Sequence, residues 1–428
     1  MTRETPAPVS FGEAFRFWLK LGFISFGGPT GQIAIMHQEL VERRRWISEN
    51  RFLHALNYCM MLPGPEAQQL ATYIGWLMHR TWGGIVAGGL FVLPSVFILI
   101  ALSWIYVTWG NVPVVAGIFY GIKPAVTAIV VSAAHRIGSR ALRHPALWAI
   151  AAAAFVAIFA FKLPFPAIVI AAGAIGYAGG RFLPRVFNFQ NAHQSQKAYG
   201  PALIDDGTPA PPHALFSWRK FRAYAAAGLT LWLLAIGGIA VVSGRDATLT
   251  QMGWFFTKAA LLTFGGAYAV LPYVFQGAVE HYGWLTTPQM IDGLALGETT
   301  PGPLIMVVAF VGFIGAGVAG ALVATYFTFL PSFIFIFMGA PFIETTHGNL
   351  RFSAPLTGIT AAVVGVILNL AVFFAYQVLW PRGMAGPFDW ISAAIGLAAL
   401  VALFRFKVGV IPVIGACALA GLAITLLR

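Results

Sequence analysis

Residues Leu262-Thr263-Phe264-Gly265-Gly266 repeat, 238 positions further along the chain, the pattern Ile24-Ser25-Phe26-Gly27-Gly28. Around them the same offset pairs Lys20 with Lys258, Glu42 with Glu280 and Trp46 with Trp284. It also pairs Pro63-Gly64-Pro65 with Pro301-Gly302-Pro303. With one residue of slippage, Leu93-Pro94-Ser95 matches Leu330-Pro331-Ser332, and Gly121-Ile122 matches Gly358-Ile359. Matches at so nearly constant an offset mark a chain built from two related halves.

Both halves are apolar. Of 428 residues, 59% are hydrophobic and 9% charged, whereas a soluble domain is about a quarter charged. Many stretches reach the roughly 17–25 residues needed to cross a bilayer. The fold class is therefore all-α, polytopic and membrane-embedded, with the lipid bilayer as its first partner. The net charge of +12 would suggest nucleic acid in a soluble protein. Here it fits the Lys and Arg that collect in cytoplasmic loops, and no nucleic-acid partner is expected. Cys59 and Cys417 lie apart in apolar sequence, with neither metal-ligand nor disulfide spacing. The histidines form no HExxH pattern, no P-loop is present, and the first ten residues have no signal-peptide core. No enzyme activity, cofactor or metal is expected, and transport energy would come from an ion gradient or the membrane potential.

Thirteen apolar segments can be drawn: 13–36, 52–78, 83–107, 112–133, 146–161, 166–180, 223–243, 252–275, 289–315, 317–339, 356–378, 388–404 and 408–427. They divide the chain into a first repeat (1–180), a polar, Pro-containing cytoplasmic linker (181–222), an extra helix with its loop (223–250) and a second repeat (251–428). The loop 37–51 carries Arg43, Arg44, Arg45 and Arg51, while its counterpart 276–287 has no Lys or Arg. The positive-inside rule thus holds the first loop in the cytoplasm and exerts no such pull on the second. The halves are expected to be inverted, with 223–243 supplying the extra crossing. The amino terminus would then be cytoplasmic and the carboxy terminus outside. Segments 13–36 and 52–78 either turn back at Gly27-Gly28-Pro29 and Pro63-Gly64-Pro65 or span with a kink. Turning back places Arg80, Arg136, Arg140, Arg143 and Arg181 on the same side as Arg43. That gives about nine full spans plus four broken segments, with thirteen spans the upper limit.

Gly-Gly and Pro-Gly-Pro break helices, and broken backbone at membrane depth survives only where protein buries it or water reaches it. Each break exposes a helix amino terminus that attracts an anion. The candidate binding residues are accordingly Phe26, Gly27, Gly28, Pro63, Gly64, Pro65, Phe264, Gly265, Gly266, Pro301, Gly302 and Pro303. Lys20 and Lys258 are candidate counter-charges, with snorkelling to the interface as the alternative. Thr30, Gln68, Thr299 and Thr300 could donate to oxyanion oxygens or satisfy freed backbone groups. Glu66 and Glu298, beside the two Pro-Gly-Pro turns, are candidate proton-coupling groups, with helix capping or lysine pairing as alternatives. Lys123 ranks lower, because its counterpart is Thr360.

Phe23-Ile24-Ser25-Phe26-Gly27-Gly28-Pro29, Trp46, Leu62-Pro63-Gly64-Pro65, Leu262-Thr263-Phe264-Gly265-Gly266 and Glu298-Thr299-Thr300-Pro301-Gly302-Pro303 together resemble the chromate ion transporter family, in its long-chain, two-domain form. The resemblance covers nearly the whole chain except the linker. It implies two oppositely oriented halves in the inner membrane. It also implies chromate efflux driven by the membrane potential or the proton gradient, and hence chromate resistance. Sulfate has the same charge and shape, so a sulfate or other anion carrier, or an anion channel, remains open. Protons are a candidate coupling ion, and an oligomer is a further open expectation.

Overall fold

A computed structural model describes residues 6–26, 28–187, 199–209, 211–264, 266–346 and 353–427. Gly27, Gly265, Arg351 and Arg428 lie outside the described residues, as does 188–198 of the linker. Among the described residues the chain is helical throughout, with a single isolated bridge between Ile47 and Ile204. The helices are α1 (Phe11–Ile24), α2 (Gly28–His37), α3 (Glu49–Met61), α4 (Glu66–Trp109), α5 (Pro113–Ala141), α6 (Pro145–Phe159), α7 (Phe165–Phe182) and α8 (Pro184–Phe187). They continue as α9 (Trp218–Ser243), α10 (Thr248–Leu262), α11 (Ala267–Phe275), α12 (Thr287–Thr299), α13 (Val307–Thr346), α14 (Ser353–Leu379), α15 (Trp390–Phe404) and α16 (Val410–Leu427). Seven helical stretches are long and apolar enough to cross a membrane, and α6 and α15 are shorter apolar helices. The protein is a polytopic α-helical membrane protein.

The element order runs twice. A π-helix, Gln38–Arg43, extends α2, and another, Gln276–His281, extends α11, 238 positions on. The same offset relates α3 to α12 at both ends. Segments 13–36 and 252–275 are each broken where Gly-Gly interrupts them, giving α1 and α2, then α10 and α11. At 14 residues, α1 is about 21 Å long, short of a 30 Å hydrocarbon core.

The longest helices are not single rods. In α4 the backbone leaves helical geometry at His79 and Arg80, and in α13 it does so at Ala316 and Gly317. A methyl group on Gly83 would collide with the Gly75 carbonyl, and one on Gly320 with the Gly312 carbonyl. Residues eight apart in a straight helix are about 12 Å apart, so these contacts require the arms to fold back on each other. Small residues permit it: Gly84 and Gly88 meet Thr72 across the first hairpin. The apolar segments end at these two points, 78/83 and 315/317, because the turns interrupt each apolar run.

Later helices interlock across the two halves. Helix α5 packs on α15 and α16, and α14 packs on α6 and α7. Both crossings are glycine contacts, Gly121 with Gly421 and Gly358 with Gly176. Close approach of small residues is how membrane helices gain packing energy without a hydrophobic driving force. Helix α9, the extra one, lies against α13 and α10 and buries only Gly228 and Ile236.

The linker differs from the solvent-exposed tether its polarity suggests. Helical structure continues past 180 through α8, whose Val186 and Phe187 are buried. Residues 199–209 dock on the 45–51 loop: Leu203 N–H donates to Arg45 O, Ile204 N–H to Trp46 O, and Ser48 N–H to Ile204 O. Ser48 Oγ and Asn50 Nδ2 donate to Asp206. Ala202, Ile204 and Ala214 are buried, so alternate apolar side chains hold this polar stretch in place.

The two internal turns differ in strain. Arg80 (φ 57°, ψ −157°) and Gly317 (φ 61°, ψ −153°) share a backbone conformation that only glycine adopts freely. Arg80→Gly should therefore raise stability, and Gly317→Arg should lower it, each by about 1–3 kcal/mol. Unfolding midpoints of the detergent-solubilised variants check both signs.

Candidate functional site

The two halves clasp each other at their breaks. The backbone N–H of Gly64 donates to Thr263 O at 2.8 Å, and that of Gly302 donates to Ser25 O at 2.7 Å. Each Pro-Gly-Pro turn of one half thus closes on the end of the first helix in the other. Ser25 Oγ donates back to Leu21 O, and Thr263 Oγ1 to Ala259 O, so both hydroxyls cap the helix end that the other half grips. Gly64 (φ 125°) and Gly302 (φ 104°) stand at the positive φ that favours glycine. A methyl group on Gly64 would strike Ser332 Oγ, and one on Gly302 would strike Ser95 Oγ. Ser95 and Ser332 are themselves repeat partners.

Polar side chains complete the clasp unequally. Ser95 Oγ donates to Pro301 O. At the other crossing Gln69 Nε2 donates to Pro63 O at 2.8 Å, and buried Ser332 Oγ has no partner among the described residues. Gln32 Nε2 reaches Gly302 O at 2.5 Å, and Gln32 Oε1 is buried and unpartnered. Each crossing also brings together two helix amino termini. Gly28, opening α2, follows Ser25 closely, as the start of α13 follows Gly302. Likewise α11 opens after Thr263, and α4 after Gly64. Such termini carry partial positive charge and free N–H groups.

Further ionisable groups pair between the helices. Tyr268 of α11 donates its hydroxyl to Glu298 of α12. Arg136 of α5 lies in contact with Tyr268 and within the field of Glu298. Asp292 of α12 is buried; its Oδ2 accepts from Tyr106 at 2.9 Å and pairs with Lys123 Nζ at 3.5 Å. Glu344 of α13 receives Tyr73 at 2.5 Å and pairs with Arg51 at 3.4 Å, both from the first half. Apart from the Tyr268–Glu298 bond, which lies within the second half, these contacts join one half to the other. Asp389 caps α15. Its carboxylate accepts from the backbone of Ile391 and Ser392, the Ser392 hydroxyl and the Tyr120 hydroxyl.

Among the sequence candidates, the structure gathers Pro63, Gly64, Pro65, Pro301, Gly302 and Pro303 at the clasp, with Phe26, Gly28, Phe264 and Gly266 beside it. Gln68 is buried in the first hairpin and donates to Thr72. Thr299 and Thr300 return their hydroxyls to their own helix, at Ala295 O and Leu296 O. Thr30 is exposed and lines an open cavity of about 500 Å³ with His37, Glu42 and Glu49. Lys20 shares an exposed face of α1 with Arg16 and Phe23, and Lys258 shares one of α10 with Trp254 and Leu261. Neither lysine points into the clasp. Glu66 has no hydrogen-bond or ion-pair partner among the described residues. Sequence reasoning passed over Ser95, Ser332, Gln32, Arg136, Tyr268 and Asp292. Asp292, a lone acid in the apolar run Met290-Ile291-Asp292-Gly293-Leu294, carried the one available signal, since an intramembrane carboxylate is costly.

Broken helices from two related units that meet at one centre are an arrangement found in membrane transporters. The Chromate transporter family profile matches residues 12–177 and again 250–422. The chain belongs to the chromate transporter family. The chromate transport protein of Pseudomonas aeruginosa is 36% identical over 423 residues, covering 98% of this chain and 94% of that protein. That of Cupriavidus metallidurans is 31% identical, covering 94% of this chain and 90% of its own. A probable chromate transport protein of Synechococcus elongatus is 29% identical, covering 92% and 90%. No solved structure matches the chain.

Because both clasp glycines combine positive φ with contact to a serine, Gly302→Ala should cost more than about 2 kcal/mol and Gly64→Ala a similar amount. Ser95→Gly added to Gly302→Ala should recover the steric part and leave the backbone part. Thermal unfolding of the three variants measures the split.

Proposed function

We propose that this protein exports chromate from the cytoplasm across the inner membrane as a secondary transporter. The observation that carries the reading is the crossed clasp, which sets helix amino termini from both halves against one another in a chain of the chromate transporter family. Anion-attracting termini gathered by the Gly64 and Gly302 turns suit a tetrahedral dianion. A dianion crosses the bilayer's hydrocarbon only where such groups replace its water.

The membrane potential is the proposed driving force. Moving two negative charges outward, with the inside negative, is favourable by about 4.6 kcal/mol per 100 mV. Proton coupling, if used, would fall to Glu66 rather than Glu298. Glu298 is held by Tyr268 and faces Arg136, whereas Glu66 has no such partner. Lys20 and Lys258, on exposed faces among apolar side chains, serve better as interfacial anchors than as counter-charges.

The two halves are proposed to be inverted repeats, 1–180 and 251–428, with the short arms re-entrant. The matched π-helices, hairpin turns and glycine crossings support the duplication, and the arginines of 43–51 support the orientation. Cysteine at position 43 should then label from the cytoplasm alone and at 281 from outside alone, with native Cys59 and Cys417 buried. Labelling of both from the same side would end the inverted scheme.

Transport is tested with radiolabelled chromate in everted vesicles. Saturable accumulation is expected, lost when the potential is collapsed and kept when only the pH gradient is. Dependence on the pH gradient instead would move the driving force to protons, and Glu66→Gln should then abolish it. Unlabelled sulfate in excess reports selectivity: full competition favours a general divalent-oxyanion carrier. No flux above empty vesicles, from folded protein, would refute the proposal.

A further inference from the structure

We propose that Lys123 is the cationic station that a divalent oxyanion meets at mid-membrane, and that Asp292 is the resident partner the anion displaces. The inference rests on the oxyanion reading above and names residues that reading did not use.

Depth comes first. Lys123 lies ten residues into α5, about 15 Å along the helix and half the thickness of a hydrocarbon core of about 30 Å. A charge at that depth is held only where a partner or water meets it.

Surroundings come next. Helix α5 packs against α12, α14, α15 and α16. From 121 to 130 all its residues are buried except Lys123 and Thr127, which lie one turn apart on one face. Tyr120, on the turn before, donates to Asp389. A lipid-facing stripe would be apolar. A polar, part-open stripe on an otherwise enclosed helix lines a crevice instead.

The pair itself is unequal. The Lys123 side chain is 30% accessible and that of Asp292 only 3%. Their separation of 3.5 Å is long for a charge-assisted hydrogen bond. The ammonium has three donors, and Asp292 is its sole partner among the described residues. Asp292 takes a second donor from Tyr106, and its Oδ1, though buried, has none. A closed structural ion pair would satisfy both partners and bury both. Here the cation faces open space with donors to spare, while the carboxylate is anchored from behind by Tyr106. A doubly charged anion entering the crevice can draw Lys123 away and leave Asp292 on the tyrosine. The matching positions in the other half are Thr360 and His54, so each chain has one such station.

The two partners should therefore act with opposite signs. Purified full-length protein in nanodiscs is tested for binding of radiolabelled chromate and sulfate. Lys123→Gln should weaken binding at least about tenfold. Asp292→Asn, which keeps the shape and the Tyr106 contact but frees the lysine, should tighten it several-fold. Shifts of the same sign in the two variants, or no shift in either, would overturn the inference while leaving the oxyanion reading in place. Wild-type protein that binds neither anion would overturn that reading and the station together. Should Lys123→Gln not fold, Tyr106→Phe gives the third arm. Deprived of the tyrosine, Asp292 should grip Lys123 harder and weaken anion binding, and unchanged affinity would overturn the proposal.

Discussion

Two backbone hydrogen bonds, Gly64 to Thr263 and Gly302 to Ser25, hold the two halves in register, and the rest of the structure is arranged to make them possible. A free N–H or C=O inside a bilayer costs several kcal/mol, so a chain that breaks its helices there must find partners for the exposed groups. For the central N–H of each Pro-Gly-Pro turn the acceptor comes from outside its own half. Each turn finds its acceptor on the other half, so neither half is complete without its counterpart. Glycine is required because the turn needs positive φ and because serine from a third helix stands where a side chain would be.

Other features follow from this crossing. The arms flanking the breaks are short because they only reach the centre and return. Folding α4 and α13 back on themselves brings Ser95 and Ser332 to the turns they guard. Beyond the clasp, α5 and α14 each pack on the other half's last helices through glycine contacts, so the interlock extends across the whole molecule. The charged pairs add to it, since Arg51–Glu344, Lys123–Asp292 and the Arg136 cluster all cross between halves.

Function depends on where that symmetry fails. A perfectly duplicated centre would present the same groups to both sides. Here Gln69 replaces a serine at one turn, Ser332 Oγ has no partner among the described residues, and Asp292 stands where the first half has His54. The linker is a further departure: it threads along the 45–51 loop through Ile204 and Asp206 and ties the arginine-rich side of the first half to the connection between halves.

The sequence alone determined the membrane class, the duplication and the position of every break, because each is a local matter. Apolar run length, a repeated motif and the conformational limits of Gly and Pro act within a few residues of chain. It also marked both Pro-Gly-Pro turns and the glutamates beside them, and it carried the family's motifs in both copies. Which turn meets which helix end could not be read that way, since Gly64 and Thr263 lie 199 positions apart and their bond depends on how two halves pack. The same holds for charge. Lys20 and Lys258 stood out as a repeated pair yet lie on exposed faces, whereas Lys123 has no repeated twin and finds its partner, Asp292, only across the crossing of α5 and α12. Sequence spacing fixes which face of a helix a residue occupies; only packing decides whether that face meets lipid, protein or the path of an ion.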